Sequence, residues 1–262
     1  MEQTQIGSLT VHVSPTTSEM GATAACQAAA ILRGAIAQRG SARLVVATGN
    51  SQDGLIDSLV VLPELDWKRI DVFHLDEYVG IGADHPASFR RWLRTKVVEI
   101  VHPNRAHYLA GDAADVEREC ARYAELLTAA PIDLCFIGFG ENGHIAFNDP
   151  HAADFTDPAI VKRVSLDETC RRQQVSEGHF PNLAAVPGEA VTLTCPAVMA
   201  AEALVCCVPE RRKAEAVKRA LEGPISAECP ASLVRTHRQP FLYLDADSAS
   251  LCSFPAAKGA RW

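Results

Sequence analysis

Two rhythms of apolar residues alternate along the chain. Short apolar runs bounded by glycine or polar turns are followed by longer stretches in which apolar residues return every three or four positions, the signatures of strand and helix. Ser8 to Val13 alternates apolar and polar and predicts an opening strand. Residues 16–39 predict an alanine-rich helix, with Thr16 to Ser18 as candidate caps and Gly40 as the stop. Arg43 to Ala47 predicts a second strand, running into Thr48-Gly49-Asn50-Ser51 and then helical spacing from Gln52 to Val61. Arg69 to Leu75 predicts a third, ending in Asp76-Glu77-Tyr78. Pro86 suits the first position of a helix through Phe89, Trp92, Leu93, Val97 and Ile100. A short strand at His107 to Leu109 and a helix over 112–129 lead to Ile132–Ile137, an apolar run interrupted only by Asp133. That run reads as a strand buried on both faces of a parallel sheet.

The second half continues the alternation. Ile160 to Leu166 is extended, and Asp167 to Val175 carries Arg171 and Arg172. Val191 to Thr194, a short helix near 196–202, Ala203 to Val208, a helix from Glu210 to Leu221 and a strand at Phe241 to Leu244 complete the regular part. Residues 250–262 read as a loose tail. Strands alternating with helices predict the α/β class, with a single doubly wound, predominantly parallel, Rossmann-like sheet flanked by helices. There is no linker-like block and no internal repeat, so one domain is expected over residues 1–262.

Composition narrows the partners. The chain has 262 residues, 48% of them hydrophobic and 22% charged, the profile of an ordinary globular protein. A formal net charge of −7 argues against nucleic acid held on a broad basic surface, so an anionic ligand must be held by a local pocket. The N-terminus lacks a basic region followed by an apolar one, and no apolar run is expected to reach membrane-spanning length. Nine cysteines without a CxxC pair suggest reduced thiols in a cytoplasmic protein and argue against a metal centre.

The candidate chemistry gathers at strand ends, where open α/β sheets bind ligands. Gly138, Gly140, Glu141, Asn142, Gly143 and His144 follow the central run, with Asp149 close behind. A histidine can take and return a proton near neutral pH, and a carboxylate within reach would fix its tautomer. A lone histidine in a turn is more often a structural hydrogen-bonder, but this one stands among glycines after a buried strand. Asp76 and Glu77 close another strand; a carboxylate there can act as a general base, and equally as a helix cap. Thr48 to Ser51 form a strand–turn–helix junction of the kind that binds phosphate, or a plain βα turn. Arg211, Arg212 and Lys213 near a helix start oppose the helix dipole, which points to a solvated face or to an anion at that terminus. There is no GxSxG elbow and no GxGxxG fingerprint after the first strand. Proton transfer on a small phosphorylated molecule remains.

The segments FHLDEYVGIGADHPASF and GFGENGHIAFNDP, in that order, closely resemble the glucosamine-6-phosphate deaminase (isomerase) family. ATGNSQ at Ala47 to Gln52 stands where that family carries its phosphate loop, and TLTCPAVMAAEALVCCVPERRKAEAVKRALEGP and Pro230 to Ser232 extend the resemblance over about residues 40–240. It implies Asp76 as the base moving a proton between C2 and C1 of an open-chain amino sugar. It implies His144 as the acid/base that opens the ring, supported by Asn142 and Asp149. Thr48, Gly49, Asn50, Ser51, Glu77, Gly140, Arg172 and Lys213 are the implied substrate and phosphate contacts, with Arg171 or His179 as alternatives to Arg172. The implied reaction converts glucosamine 6-phosphate to fructose 6-phosphate and ammonia with no metal or organic cofactor. The implied partner is a small hexosamine 6-phosphate, not nucleic acid or a membrane, and family members range from monomers to homo-oligomers up to hexamers. Asp149 stands where the family typically has glutamate, and a related substrate such as galactosamine 6-phosphate stays open. The alternatives are a 6-phosphogluconolactonase-type hydrolase, which shares the fold, and a non-catalytic sugar-phosphate-binding relative.

Overall fold

The computed structural model describes residues 2–253. Among them, eight strands form one sheet: β1 (Glu2–Ile6), β2 (Leu9–Ser14), β3 (Ala42–Val46), β4 (Ile70–His74), β6 (Arg105–Ala106), β7 (Leu134–Ile137), β10 (Ala203–Val208) and β11 (Pro240–Asp245). Their order is β1-β2-β11-β10-β7-β3-β4-β6, and only β1 runs antiparallel to its neighbour. β7 lies at the centre, and Leu134, Cys135, Phe136 and Ile137 are all buried, as an unbroken apolar run between two helical layers requires. From β3 the chain winds outward to β4 and β6; from β7 it winds the other way to β10 and β11. The strand order therefore reverses between β3 and β7, and ligands of open α/β sheets bind outside such a switch point.

The flanking helices are α1 (Thr17–Arg39), α2 (Asp53–Leu59), α3 (Phe89–Leu93), α4 (Glu99–Val101), α5 (Val116–Thr128), α6 (Glu168–Ser176), α7 (Cys195–Met199), α8 (Ala214–Glu222) and α9 (Ala246–Ala249). The Thr16 side chain caps α1 by accepting from Glu19 N at 3.2 Å, and Gly40 ends it. By length and composition α1 could cross a membrane, contrary to the expectation that no run reaches that length. Its Met20, Ala24, Ala28 and Leu32 are instead buried in the core shared with the sheet. α1 and α2 touch backbone to backbone: a Cβ on Gly21 would stand 2.4 Å from the carbonyl carbon of Gly54.

Three differences from the sequence reading bear on the site. A second, antiparallel sheet of β5 (Asp76–Tyr78), β9 (Glu189–Leu193) and β8 (Val161–Ser165) stands apart from the main one. It covers a small core of its own, including Tyr78, Phe89, Phe147, Cys170 and Phe180. The chain thus leaves the parallel sheet after His74 and enters this cap at Asp76. The helix expected from Pro86 begins at Phe89, because Ser88 is the residue whose side chain caps it. It continues through a π-helical turn at Arg94–Val98 into α4. The helix expected from Glu210 starts as a 3₁₀ turn at Arg211–Lys213 before α8. Of the tail expected over 250–262, residues 254–262 lie outside the described residues.

Candidate active site

A cleft open to solvent, with about 80 Å³ of enclosed space, lies over the switch point. The loop after β3 (Ala47 to Gln52), Leu75 and Asp76 just beyond β4, the loop after β7 (Gly138 to Gly140, then His144) and Lys213 after β10 line its floor. Gln173, Gln174, Glu177 and His179, on or just after α6, line it from the cap. Segments far apart in sequence therefore converge on one cavity because each ends a strand of the same parallel layer.

Asp76 stands where the chain passes from sheet to cap. His74, fully buried, holds this junction. Its Nε2 accepts from Leu109 N at 2.9 Å, so the proton is on Nδ1, which donates to the Asp76 carbonyl at 2.9 Å. Burial keeps that imidazole neutral, with its pKa lowered to about 3. The Asp76 carboxyl is itself nearly enclosed, and burial first and the neighbouring Glu77 second push its pKa up to about 8. Glu77 does not line the cleft. It is fully buried and accepts from Tyr78 N, Phe89 N, Arg90 N and the Ser88 hydroxyl, at 3.0, 3.2, 2.9 and 2.7 Å. Its carboxylate clamps the start of α3 to the cap, so the expectation of a substrate contact is corrected to an anchor.

His144 lies flat against Gly140, where a Cβ would come within 2.2 Å of the ring. Only glycine leaves room for the imidazole there. Nδ1 lies 2.9 Å from Asp149 Oδ1, a hydrogen-bond distance, although the ring edge is not aligned on the oxygen. Asn142 holds the pair from below: its Nδ2 donates to Asp149 Oδ1 at 2.8 Å and to Asp167 Oδ2 at 3.3 Å, and its Oδ1 accepts from His144 N at 3.0 Å. Burial raises the Asp149 pKa, but His144 and the Asn142 amide outweigh it, and the carboxyl titrates below its ordinary range. Asp167 is also the N-cap of α6, accepting from Cys170 N at 2.6 Å, so one amide links the histidine loop to the cap.

The far end of the cleft is cationic but not unpaired. Lys213 is 1% exposed, and burial lowers its pKa. Glu177 Oε1 lies 3.8 Å from its Nζ and 2.9 Å from Arg212 Nη1, and Glu177 Oε2 lies 3.4 Å from His179 Nε2. Burial alone would raise the Glu177 pKa; His179, Lys213, Arg212 and Gln173 together bring it down to about 2. Across from them, Asn50 and Ser51 open a 3₁₀ turn whose first N–H groups have no intrahelical acceptor. The Thr48 hydroxyl and Gln52 Oε1 are buried without a partner. Arg172 is not here: it is exposed and pairs with Glu168 one turn back on α6. Arg171 donates to the carbonyls of Leu183 and Val186.

Residues 15–243 match the family model described as glucosamine-6-phosphate isomerases/6-phosphogluconolactonase. The chain belongs to this family. A glucosamine-6-phosphate deaminase of Exiguobacterium sibiricum is 32% identical over 216 residues, covering 82% of this chain and 83% of that protein. One from Bacillus cereus is 34% identical over 210 residues, covering 80% of this chain and 78% of its own. Among solved structures, a monomeric glucosamine-6-phosphate deaminase superposes with a TM-score of 0.84 at 29% identity, covering 92% of this chain and 99% of that one. A 6-phosphogluconolactonase from Shewanella baltica gives 0.74 at 22% identity, over 90% and 97% of the two chains, and shares the fold.

Within the family frame, the cap's contribution to the cleft was the part that sequence reasoning missed. Gln173, Gln174 and Glu177 fall on one face of α6 by their spacing of three and four, while Arg172 falls on the other. That periodicity was available in the sequence; which face met the cleft was not. Gln52 carries no signal that separates it from any polar residue at a helix start.

Proposed function

We propose that the chain isomerises and deaminates glucosamine 6-phosphate, giving fructose 6-phosphate and ammonia. The observation that carries this reading is that Asp76 and His144 line one cleft whose far wall holds Lys213. The named activity of relatives at 32–34% identity supports it. In the closed sugar the C2 proton is not acidic. His144, oriented by Asp149 and Asn142, moves a proton between O1 and the ring oxygen and exposes the aldehyde. The Asp76 carboxylate then takes the C2 proton and returns it to C1. The resulting C2 imine is hydrolysed by water, and ammonia leaves. Thr48, the backbone of Gly49, Asn50 and Ser51, and Lys213 hold the 6-phosphate, whose binding energy fixes the reacting end. His179 takes the place expected of Arg172 in that grip, and Gly140 gives the imidazole its room. Nine free thiols fit a reducing cytoplasm.

The decisive assay measures ammonia released from glucosamine 6-phosphate and galactosamine 6-phosphate, with 6-phosphogluconolactone hydrolysis followed in parallel. Ammonia from a hexosamine 6-phosphate, lost in Asp76→Asn by about 10²- to 10⁴-fold, is expected. Lactone hydrolysis without ammonia, or an Asp76→Asn variant that turns over normally, defeats the reading.

A further inference from the structure

Cys170 lies on α6, three residues after its N-cap Asp167, and its thiol has no part in the reaction just described. It is 1% exposed and packs in the cap's small core. Yet its Sγ, a ring nitrogen of His144 and a carboxylate oxygen of Asp149 all lie within 4.8 Å of one another. Bonding capacity is left over here: Asp149 Oδ2 is buried with no hydrogen-bond partner, and His144 Nδ1 has only the misaligned 2.9 Å contact with Asp149 Oδ1. Asp149 is fully buried and His144 is 8% exposed, so water does not readily make up the deficit. One sulfur, one imidazole nitrogen and one carboxylate oxygen make a borderline-soft donor set of the kind zinc takes, whereas magnesium and calcium prefer oxygen alone.

We propose that Cys170, His144 and Asp149 form a site for a thiophilic divalent cation, zinc foremost, and that filling it switches the catalytic centre off. The ion is an inhibitor and not a cofactor, because it takes the imidazole and carboxylate that the deamination needs. Bonds of about 2.0–2.3 Å to zinc put tetrahedral ligand atoms roughly 3.3–3.8 Å apart, a spacing between the 2.9 Å of the His144–Asp149 contact and the 4.8 Å that bounds the whole group. Charge and protons balance simply. Zinc binds the neutral imidazole and the carboxylate, the Cys170 thiol loses one proton to solvent, and a water fills the fourth position. Burial pushes the thiol's pKa up, and the ion's own charge is what offsets this. The ion enters through the cleft, which His144 lines. Among the described residues one other such grouping exists, Asp149 with Asp167 and the exposed His151, which contains no sulfur.

The ion's binding is independent of the proposed reaction; only its inhibitory effect rests on that reading. Zinc chloride and cobalt chloride added to the full chain are therefore read in two ways. Equilibrium dialysis should give one tight zinc per chain. The cobalt form should show a near-ultraviolet thiolate-to-cobalt charge-transfer band, absent in Cys170→Ser and Cys170→Ala and kept in His151→Ala. Zinc should inhibit ammonia release reversibly to a chelator. Both cysteine variants should raise the inhibitory concentration at least about tenfold while leaving turnover without zinc unchanged. Two substitutions at Cys170 guard against one failing to fold, and the wild-type cobalt band needs neither. A wild-type chain that yields no thiolate band, or cysteine variants that bind and are inhibited like wild type, overturn the proposal. If no ammonia is released by the wild type, the band and the stoichiometry still decide the site.

Discussion

Asp149 Oδ1 reaches to 2.9 Å from His144 Nδ1, and Asn142 Nδ2 donates to the same oxygen at 2.8 Å. Asn142 draws the two together, binding the carboxylate through its amide nitrogen and the His144 N–H through its amide oxygen. Lengthening the acid therefore harms this chain. Asp149→Glu forces a methylene into a fully buried position, an overpacking that costs about 1–3 kcal/mol. A misplaced dyad costs on the order of a hundredfold in rate. Urea melts and kcat should both fall in Asp149→Glu; an unchanged or faster variant counts against the dyad.

The pH profile follows from Asp76. Acting as a base, its carboxyl must be ionised, and in the empty cleft its pKa stands at about 8. The profile of kcat/KM reports the free enzyme, so activity should rise with pH through an apparent pKa near 8 and fall away on the acid side. A profile flat from pH 6 to 9 removes Asp76 from the role.

The same carboxyl makes a stability prediction. Its folded pKa is raised above the ordinary 3.8, so between about pH 4 and pH 8 the folded chain holds a proton that the unfolded chain has lost. Stability attributable to Asp76 is complete below that window and falls as pH rises through it, by up to roughly 1.4 kcal/mol per unit. Asp76→Asn keeps the shape without the ionisation. Relative to wild type it should be progressively more stable from pH 5 to pH 8 in denaturant titrations, while turnover is lost.

Glu177 neutralises Lys213, the buried cation at the proposed phosphate end. Glu177→Gln should free Lys213 for the ligand, Arg212 staying paired with Glu210 and Glu141, and so lower KM and the inhibition constant for inorganic phosphate by roughly tenfold, the scale of 1.4 kcal/mol. Lys213→Met should move both the other way. Equal constants in all three proteins would locate the phosphate elsewhere.

Arg172→Ala should leave KM and kcat unchanged, because that guanidinium points away from the cleft and pairs with exposed Glu168. His179→Ala should raise KM. The opposite ranking, read from steady-state kinetics, would return the phosphate contact to the arginine.

Most of the parallel layer was legible from apolar runs and the alternation of β2, and β7 with its glycine loop lies where Ile132–Ile137 pointed; the strand expected at His107–Leu109 is instead β6 at Arg105–Ala106, a two-residue edge with no apolar run to mark it. The cap was not. Asp76–Tyr78 is three residues long, too short for any period to appear, and it follows β4 with only Leu75 between, so the two read as one strand. β1 was missed because Glu2–Ile6 is largely exposed and gains its structure from pairing with β2 across the hairpin. Glu77 looked like chemistry because a carboxylate at a strand end does; only the four donors around it reveal an anchor. Arg171 is turned to the carbonyls of Leu183 and Val186 and Arg172 to Glu168, so the structure brings neither into the cleft.

The bare contact between Gly21 and Gly54 ties the proposed phosphate loop to α1, a helix that does not line the cleft. α2 begins directly behind Asn50 and Ser51, and α1 leans on it with no side chain between. A methyl group added at residue 21, innocuous by helix propensity, would act as a wedge that lifts α2 and drags the loop off its anion. Such a lesion would surface as weakened substrate capture in a chain whose catalytic side chains are all intact.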